Sequence, residues 1–465
     1  MFTLIIACLL VEFLMSIRLP GELFMGVTKS SFSKISAFAF LVVLLSGYQA
    51  RSQSFSNRDR ERGVTMLKTI KEDIRKNYYD PNFHGIDLDA RFKVAEEKME
   101  LTKSNAEVFG IIAQTLIDFN DSHTAFLPPS RSARVEYGWL MKMFGDNCYV
   151  TQVRPHSDAD AKGLKPGDLV QSVDGIHPTR ANTWVFYYLY YQLAPRPSIN
   201  VVVQSPGEQP RQLELKAKVQ TGLLIVDLTE GVEIHRLERE EEDEEILNAH
   251  RFRVFGDDLI IWKMPQFDLE KGDVDEKVDR VKKHQALILD LRGNSGGNEE
   301  TLLRLIGNLC DHDVTIGEIK RRKESKPFLA KTRGAGGFKG KLVVLVDSES
   351  ASASEVLARV VQLERRGVVL GDRTGGKVMR SRFHIHQIGL EKIVSYGANV
   401  TDADVIMSDG NSLEHSGVTP NLILLPTAAD LHSGRDPVLS GAASLLGVKL
   451  DPLEAGKLFP FKWKP

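Results

Sequence analysis

The spacing of apolar residues along the chain changes twice, and its first part has the period of a helix. Over residues 60–119 apolar side chains recur at intervals of three and four, the repeat of an amphipathic helix. Members of this pattern are Val108, Ile111, Ile112, Leu116 and Phe119. Ser104, with Glu107 three residues later, is a capping box and predicts a helix start. We therefore predict a small helical region at residues 53–130.

The second part, residues 131–220, has short alternating patterns separated by turn residues. In "GLKPGDLVQSVDG" (residues 163–175) a Pro-Gly pair predicts a tight turn, and the alternation after it predicts a strand with one buried face. A helix over residues 182–193 and strands near residues 199–204 and 213–219 complete a compact module. The helix contains the aromatic run "WVFYYLYY", which is apolar on all sides. This favours core packing over contact with a substrate.

After residue 255 the pattern changes to unbroken apolar strands that are each followed by a helix. Such strands are buried on both faces, so they predict a mostly parallel sheet with helices on each side. Two strand-to-helix turns stand out. One contains "RGNSGG" (residues 292–297), and the other contains "SESASASEV" (residues 348–356) after the buried strand "KLVVLV" (residues 341–346). We predict an α/β fold whose chemistry lies at these turns.

Composition and charge exclude several classes of protein. The chain has 465 residues, of which 42% are hydrophobic and 26% charged, as in a globular protein with a sizeable core. Its formal net charge of −2 provides no electrostatic footprint for nucleic acid or an anionic membrane. Its three cysteines lack metal-ligand spacing. The acidic run at residues 238–245 lacks the spacing of a calcium loop, so we interpret it as a solvated face.

The N-terminus has the features of an export signal. Lys29 and Lys34 form its basic segment, residues 35–45 form its apolar segment, and "ARS" at residues 50–52 supplies the small residues that a signal peptidase requires. We predict that residues 1–52 are a signal peptide. A retained membrane anchor is the alternative, whereas a lipid anchor is excluded because no cysteine directly follows the apolar segment.

The glycine-rich turn predicts a backbone site for negative charge. Glycines at positions 293, 296 and 297 let the main chain approach a ligand and present N–H groups at the start of a helix. The spacing matches neither the dinucleotide fingerprint nor the phosphate-binding loop. We therefore do not predict a nucleotide site.

The serine-rich turn supplies a possible nucleophile. A hydroxyl there lies near the positive end of a helix, where the next N–H group can stabilise an oxyanion. Serine needs a base, and the chain has no GxSxG sequence, which argues against a Ser-His-Asp esterase. Lys377, in "DRTGGKV", is a possible base if its apolar neighbours lower its pKa from about 10.4. These residues alone do not choose among Ser350, Ser352 and Ser354.

Taken in order, "LDLRGNSGG", "SASASE" and "GDRTGGK" resemble the S41 family of C-terminal processing, or tail-specific, serine proteases. The segments "DSHTAFLPP" and "GNSLEHSGVTPNLIL" are similar to segments of that family, so the resemblance covers most of residues 118–446. It implies an α/β core of the crotonase/ClpP-like type. It also implies an inserted or preceding PDZ-like domain, which "GLKPGDLVQSVDG" resembles and which binds an extended peptide at a sheet edge.

The resemblance implies roles for particular residues. It makes Ser352 the nucleophile and Lys377, 25 residues later, the base. The N–H groups of Ala353 and Gly296 correspond to the oxyanion donors.

Two residues are implied to orient the lysine. They are Thr374 and Ser381, the latter standing where the family commonly has Gln, which reaches further. Ser350 and Ser354 are interpreted as turn and helix-capping residues.

Four histidines are possible alternatives to the lysine or possible metal ligands. His384 and His386 share one face of a predicted strand, and we interpret them as solvent-facing because no third ligand is nearby. His123 and His415 lie in the segments that resemble the family, and we interpret both as hydrogen-bonded structural residues. A Ser-His pair is nevertheless the main mechanistic alternative to Ser-Lys.

These inferences give a domain layout and a predicted function. The layout is a signal peptide or anchor at 1–52, a helical region at 53–130, a PDZ-like domain at 131–220, an S41-like core at 221–446 and a tail at 447–465. The predicted function is that of an exported serine endopeptidase, periplasmic or otherwise extracytoplasmic. It would act on protein or peptide substrates without a metal or organic cofactor. The alternative is a non-catalytic peptide- or ligand-binding protein on the same fold.

Overall fold

The computed structural model of the protein describes residues 55–129, 133–221, 249–389 and 393–463. The predicted signal segment and the acidic run at residues 238–245 lie outside these ranges. Within them, no helix is both long enough and apolar enough to cross a membrane.

Three helices and a short strand precede the first sheet. They are α1 Asn57–Asn77, α2 Leu88–Met99, α3 Asn105–Ile117 and β1 Ala125–Leu127. Ser104 caps α3 as predicted, because its hydroxyl accepts the N–H of Glu107 at 3.2 Å. The Glu107 carboxylate accepts the N–H of Lys103 at 2.6 Å. The helices pack through buried residues such as Ile70 and Ile112.

Residues 139–216 form a five-stranded antiparallel sheet, which we call the module. Its strands are adjacent in chain order: β3 Trp139–Phe144, β4 Asn147–Val153, β5 Leu169–Val173, β6 Ser198–Gln204 and β7 Arg211–Lys216. Helix α4 spans Asp158–Ala161, and α5 spans Thr183–Tyr187 and continues as a π-helix over Tyr188–Leu193. Phe186, Tyr188, Leu189 and Tyr190 are buried, which confirms core packing for half of the aromatic run, whereas Tyr191 is exposed.

The predicted strand at residues 213–219 is two strands in different sheets. Its second part belongs to a two-stranded antiparallel ribbon of β2 Ala133–Glu136 and β8 Lys218–Thr221, outside the module.

The remaining part of the chain is a layered α/β structure. Its strands are β9 Arg251–Phe255, β10 Leu259–Lys263, β11 Ala286–Asp290, β12 Val314–Arg321, β13 Ser325–Ala330, β14 Lys341–Val346, β15 Val368–Gly371, β16 Arg380–Ile388, β17 Val394–Met407 and β18 Leu422–Ile423. Its helices are α6 Lys271–Val281, α7 Glu299–Leu309, α8 Ala353–Leu363, α9 Ala428–Ser433, α10 Pro437–Leu445 and α11 Pro452–Lys457.

Six of these strands form the core sheet, in the order β18-β15-β14-β11-β10-β9. All neighbours are parallel except the β9–β10 pair. Side chains alternate between two apolar layers, so that Leu287 packs toward α6, α7 and α8 while Ile288 packs toward α10 and α11. The predicted parallel sheet with helices on both faces is confirmed.

A third sheet joins distant parts of the chain. Its order is β1-β17-β12-β13, and β16 is a further partner of β17. Strand β1 pairs through Ala125–Leu127 with β17, which also pairs with β16, the strand that follows Lys377. The segment after α3 is therefore fixed against this sheet. This pairing sets the position of residues 121–124.

Candidate active site

The turn between β14 and α8 carries the serine-rich sequence and ends at Ser352. This residue has φ 54° and ψ −118°, a conformation that costs energy for any residue other than glycine. Two hydrogen bonds from its N–H hold it, one to the Lys377 carbonyl oxygen at 2.8 Å and one to Glu355 Oε2 at 3.1 Å. The main chain of Ser352 is therefore joined directly to that of Lys377.

Hydrogen bonding distinguishes the four serines of this turn. Three hydroxyls donate to backbone carbonyl oxygens: Ser348 to Met143 at 2.6 Å, Ser350 to Leu291 at 2.9 Å and Ser354 to Asn294 at 2.9 Å. The Ser352 hydroxyl donates to no residue in the described ranges. The capping role predicted for Ser354 is wrong, since Ser352 holds the cap position and Ser354 lies within α8. The contacts thus separate Ser352 from its neighbours.

Glu355 is the centre of the hydrogen bonds behind this turn. Its side chain is buried, and its carboxylate accepts the N–H groups of Gly376 and Lys377, each at 2.8 Å, besides that of Ser352. The Thr374 hydroxyl also donates to it. Burial raises the pKa of Glu355 to about 7, although these hydrogen bonds favour the charged form. Glu355 was not among the predicted site residues, although it lies one helical turn after Ser352.

Lys377 lies in the loop after β15 with its side chain partly exposed. Burial lowers the pKa of its ammonium group, while the carboxylates of Glu355, Glu349 and Glu414 act in the opposite direction. Within the described residues its side chain forms neither an ion pair nor a hydrogen bond. The lysine is therefore closer to neutrality than a free lysine, as a base requires.

The two residues implied to orient the lysine have different surroundings. The Thr374 hydroxyl accepts the N–H of Val418 at 2.6 Å and donates to Glu355, so Thr374 shapes the loop through that carboxylate. Ser381 lies on β16 opposite Thr401. Its hydroxyl has no hydrogen-bond partner among the residues that the structure describes.

The glycine-rich turn lies against Ser352. A Cβ atom on Gly296 would lie 2.7 Å from the Ser352 Cβ and 3.0 Å from the Ala353 nitrogen, so only glycine fits there. Ala353 is the first residue of α8, where an N–H group has no intrahelical acceptor. The N–H of Gly296 instead donates to Asn294 Oδ1 at 2.8 Å. Ala353 is thus the freer of the two predicted oxyanion donors.

A second group of polar residues joins the lysine loop. The Ser122 hydroxyl lies 2.7 Å from His123 Nδ1 and donates to Glu414 Oε2 at 2.9 Å, while the Ser122 N–H donates to Glu414 Oε1 at 2.7 Å. Glu414 also accepts the N–H of Val378 at 2.9 Å. We call Ser122, His123 and Glu414 the relay.

Electrostatics keep the relay histidine neutral. Burial lowers the pKa of His123 to about 4; the Asp121 carboxylate opposes this shift and the charge of Lys377 adds to it. Burial raises the pKa of Glu414. The contact of His123 with Ser122 agrees with the prediction of a hydrogen-bonded structural histidine, and its imidazole in addition feels the charge of Lys377.

The other histidines have structural contacts. His415 Nε2 lies 2.8 Å from the carbonyl oxygen of Asn120, in agreement with the prediction. His386 Nε2 lies 2.7 Å from Asp73 Oδ2 on α1, and His384 also faces this carboxylate. Both are partly buried, so their interpretation as solvent-facing is wrong. The described residues contain no cluster suited to a metal ion.

A cavity of about 330 Å³ lies between the module and the carboxyl ends of β10, β14 and β15. The charged side chains of its wall are paired within the protein: Lys142 with Asp347, Lys263 with Asp290, Arg292 with Asp436, Arg180 with Asp372 and Arg435 with Asp430. Because these side chains already form ion pairs with each other, they do not offer an unpaired charge to a ligand.

The family model for peptidase family S41 matches residues 259–424, the part of the chain that contains both turns and the lysine. A C-terminal processing peptidase, chloroplastic, from Tetradesmus obliquus is 25% identical over 372 residues, which cover 76% of this chain and 75% of the relative. A carboxy-terminal-processing protease from Bartonella bacilliformis is 28% identical over 218 residues, which cover 43% of this chain and 46% of the relative.

Solved structures share the fold. Mature CPAF complexed with lactacystin has a TM-score of 0.61 at 12% identity, covering 84% of this chain and 98% of that one. The photosystem II D1 C-terminal processing protease has a TM-score of 0.50 at 21% identity, covering 85% and 99%. The prediction of an α/β fold of this type is confirmed.

Proposed function

We propose, from the membership of this chain in peptidase family S41, that it is a serine endopeptidase that cleaves extended or C-terminal segments of proteins through an acyl-enzyme. The observation that carries the proposal is the Ser352 hydroxyl. Of the four hydroxyls in its turn, it is the one that donates to no described acceptor. It also lies on a backbone that is hydrogen-bonded to Lys377.

The chemistry begins with proton transfer from Ser352 to neutral Lys377 as the serine oxygen attacks the scissile carbonyl carbon. The Ala353 N–H, at the positive end of α8, stabilises the developing oxyanion. The Gly296 N–H also donates to the oxyanion, in place of its hydrogen bond to Asn294 Oδ1. Lys377 then protonates the leaving amine, and water hydrolyses the acyl-enzyme.

His123 is a second candidate for the base, and the relay is the observation that favours it. His123 Nδ1 contacts the Ser122 hydroxyl, which is hydrogen-bonded to Glu414. A general base needs such a contact to orient its imidazole. Burial keeps it neutral at pH 7, so it is available to accept a proton. Comparison of Lys377→Ala with His123→Ala separates the two bases.

The module is the second part of the proposal. Its five-stranded antiparallel sheet with α5 between β5 and β6 supports a PDZ-like role, in which an extended peptide is held at a sheet edge. The predicted export signal at residues 1–52 supports action outside the cytoplasm, with a retained anchor as the alternative.

The test uses a tagged unfolded protein as substrate, with products measured by mass spectrometry. We expect wild type to cleave it and to gain an acyl adduct at Ser352. Ser352→Ala should give neither result while its thermal unfolding is unchanged. Ser444→Ala, at an exposed serine on α10, is the matched control and should keep full activity.

A non-catalytic binding protein would give a different result. It would bind the unfolded protein with equal affinity in wild type and Ser352→Ala and would form no adduct. Cleavage that persists in Ser352→Ala would also reject the assignment of the nucleophile.

A further inference from the structure

Lys142, on β3 of the module, reaches into the nucleophile turn of the core. Its Nζ lies 2.8 Å from Asp347 Oδ2 and 2.6 Å from Glu349 Oε2. The Lys142 and Asp347 side chains are 19% and 7% exposed, whereas that of Glu349 is 44% exposed. One ammonium group from the module therefore serves two carboxylates that precede Ser352.

Asp347 orders both turns of the site. Its Oδ1 accepts the N–H groups of Gly293 at 2.9 Å, Glu349 at 3.0 Å and Ser350 at 3.1 Å. Burial opposes the charge on this carboxylate, but the Lys142 ammonium, the Gly293 N–H and the charge of Lys263 together lower the pKa of Asp347. The glycine-rich turn and the nucleophile turn are thus tied to a carboxylate whose ion-pair partner comes from the module.

Glu349 links the same ammonium to the base. Its negative charge favours the protonated form of Lys377, as do those of Glu355 and Glu414. Other titratable groups also face these charges: the Lys377 charge acts on His123, and the Glu349 charge acts on Cys148 and Tyr187 of the module. A counter-charge on Glu349 therefore favours the neutral form of Lys377.

The module also has contacts with the core that do not involve Lys142. The Ser348 hydroxyl donates to the Met143 carbonyl oxygen, and the Gly145 N–H donates to Asp372 Oδ2 at 2.9 Å. Arg180 forms an ion pair with Asp372. These contacts provide a control, because they join the two parts without placing a charge beside Glu349.

We propose that Lys142 is a positioning residue for catalysis, which holds the nucleophile turn through Asp347 and screens Lys377 from the charge of Glu349. The inference rests on the proposed Ser352–Lys377 chemistry and adds the residue by which the module completes it. Lys142 does not touch the reacting atoms. It acts through the two carboxylates.

The test measures kcat/KM against pH for Lys142→Met, Glu349→Gln and the double variant. In the free enzyme the rising limb follows deprotonation of the base. Lys142→Met leaves Glu349 unscreened, so its limb moves to higher pH, by roughly half a pH unit to one unit for a partly exposed charge. Glu349→Gln moves the limb to lower pH. The double variant returns toward the wild-type position.

Three control variants test the charge of Lys142, the effect of removing a surface lysine, and docking. Lys142→Arg keeps the charge and should restore the wild-type profile, whereas Lys331→Met removes an exposed lysine and should change nothing. Ser348→Ala weakens docking without removing a charge, so the limb should stay in place. If Lys142→Met fails to fold, Glu349→Gln still provides the test.

The possible failures are distinguishable. If wild type forms no Ser352 adduct, the proposed function is wrong. If wild type cleaves but Lys142→Met and Glu349→Gln both keep its rising limb, the inference about Lys142 is wrong while the peptidase proposal stands. An equal loss of rate at every pH in Lys142→Met, not relieved by Glu349→Gln, would reduce Lys142 to a docking contact and overturn the screening role.

Discussion

Two carboxylates hold the loop that carries Lys377, and they differ in what they bind. Glu355 lies three residues after Ser352, and three of its donors are backbone N–H groups. Glu414 accepts one N–H from the lysine loop and two groups from Ser122, which lies 292 positions earlier in the chain. One support is made within the core, whereas the other joins the core to the segment after α3.

This difference shows which part of the site depends on contact between the core and the segment at residues 121–124. Glu355 and its donors belong to the β14–α8–β15 unit and the loop after it, so their contacts form when the core folds. The relay also needs the segment at residues 121–124. Asp121 holds that segment by accepting hydrogen bonds from the Tyr78 hydroxyl at 2.8 Å and the Thr401 hydroxyl at 2.6 Å. The relay therefore depends on the helical region as well as on the core.

The largest expected effect distinguishes the two candidate bases, Lys377 and His123. We expect Lys377→Ala to lower kcat by about 10⁴-fold or more, the scale for loss of a residue of the catalytic unit. His123→Ala should lower kcat by about tenfold, because removal of its imidazole changes only the surroundings of the lysine loop. Single-turnover cleavage of one peptide at pH 8 measures both. The reverse ranking would make His123 the base and the relay the catalytic support.

Glu355→Gln should have the next largest effect. A Gln amide accepts through one oxygen and its NH₂ group faces the N–H donors, so Ser352 and Lys377 lose their common anchor. We expect kcat to fall about 100-fold and the free energy of unfolding to fall by about 2–3 kcal/mol, the range for a broken buried network. Glu300→Gln, at an exposed residue of α7, is the control. Unchanged kcat in Glu355→Gln would show that the loop is held without it.

Titration of Glu355 should make the free energy of unfolding depend on pH. The pKa of this group is raised from 4.5 to about 7 in the folded chain, so the fold binds its proton more tightly than the unfolded chain does. Its contribution is fully present below pH 4.5 and is lost as pH rises through 7. The wild-type free energy of unfolding should therefore decline across this window by up to about 3 kcal/mol relative to Glu355→Gln. Urea unfolding at pH 4.5 and pH 7 measures the difference, and a parallel pH dependence in the two proteins would contradict it.

The same contrast explains what the sequence could predict. The strand at residues 341–346 was predicted with the bounds that the structure shows, because an unbroken apolar run followed by an amphipathic helix is a local signal. The helix expected after the serine-rich turn is observed as Ala353–Leu363. The sequence did not show where it starts, because the positive φ of Ser352 makes that residue the cap and no sequence pattern marks this conformation.

Local sequence patterns could predict neither the relay nor the contact between Lys142 and Asp347. Ser122 and Glu414 meet only through the pairing of β1 with β17, and Lys142 meets Asp347 only after the module docks on the core. These contacts depend on tertiary placement, whereas residue type and spacing report local structure. The choice of Ser352 over Ser350 and Ser354 had the same limit. It rests on the family resemblance, and the hydrogen bonds that the Ser350 and Ser354 hydroxyls donate to carbonyl oxygens support it.

The smallest expected effect tests whether the helical region supports only the relay. Tyr78→Phe removes the hydroxyl bonded to Asp121 and keeps the buried ring, so it should lower the free energy of unfolding by about 1 kcal/mol, as for a single hydrogen bond. The segment at residues 121–124 then loses one anchor while the bonds of Glu355 stay intact. We expect a decrease in kcat/KM of about threefold, well below the tenfold for His123→Ala. The rate of Ser352 acylation by a small active ester should not change. A loss as large as that of Glu355→Gln would mean that the helical region also positions the nucleophile, and the division between a core support and a docked support would no longer hold.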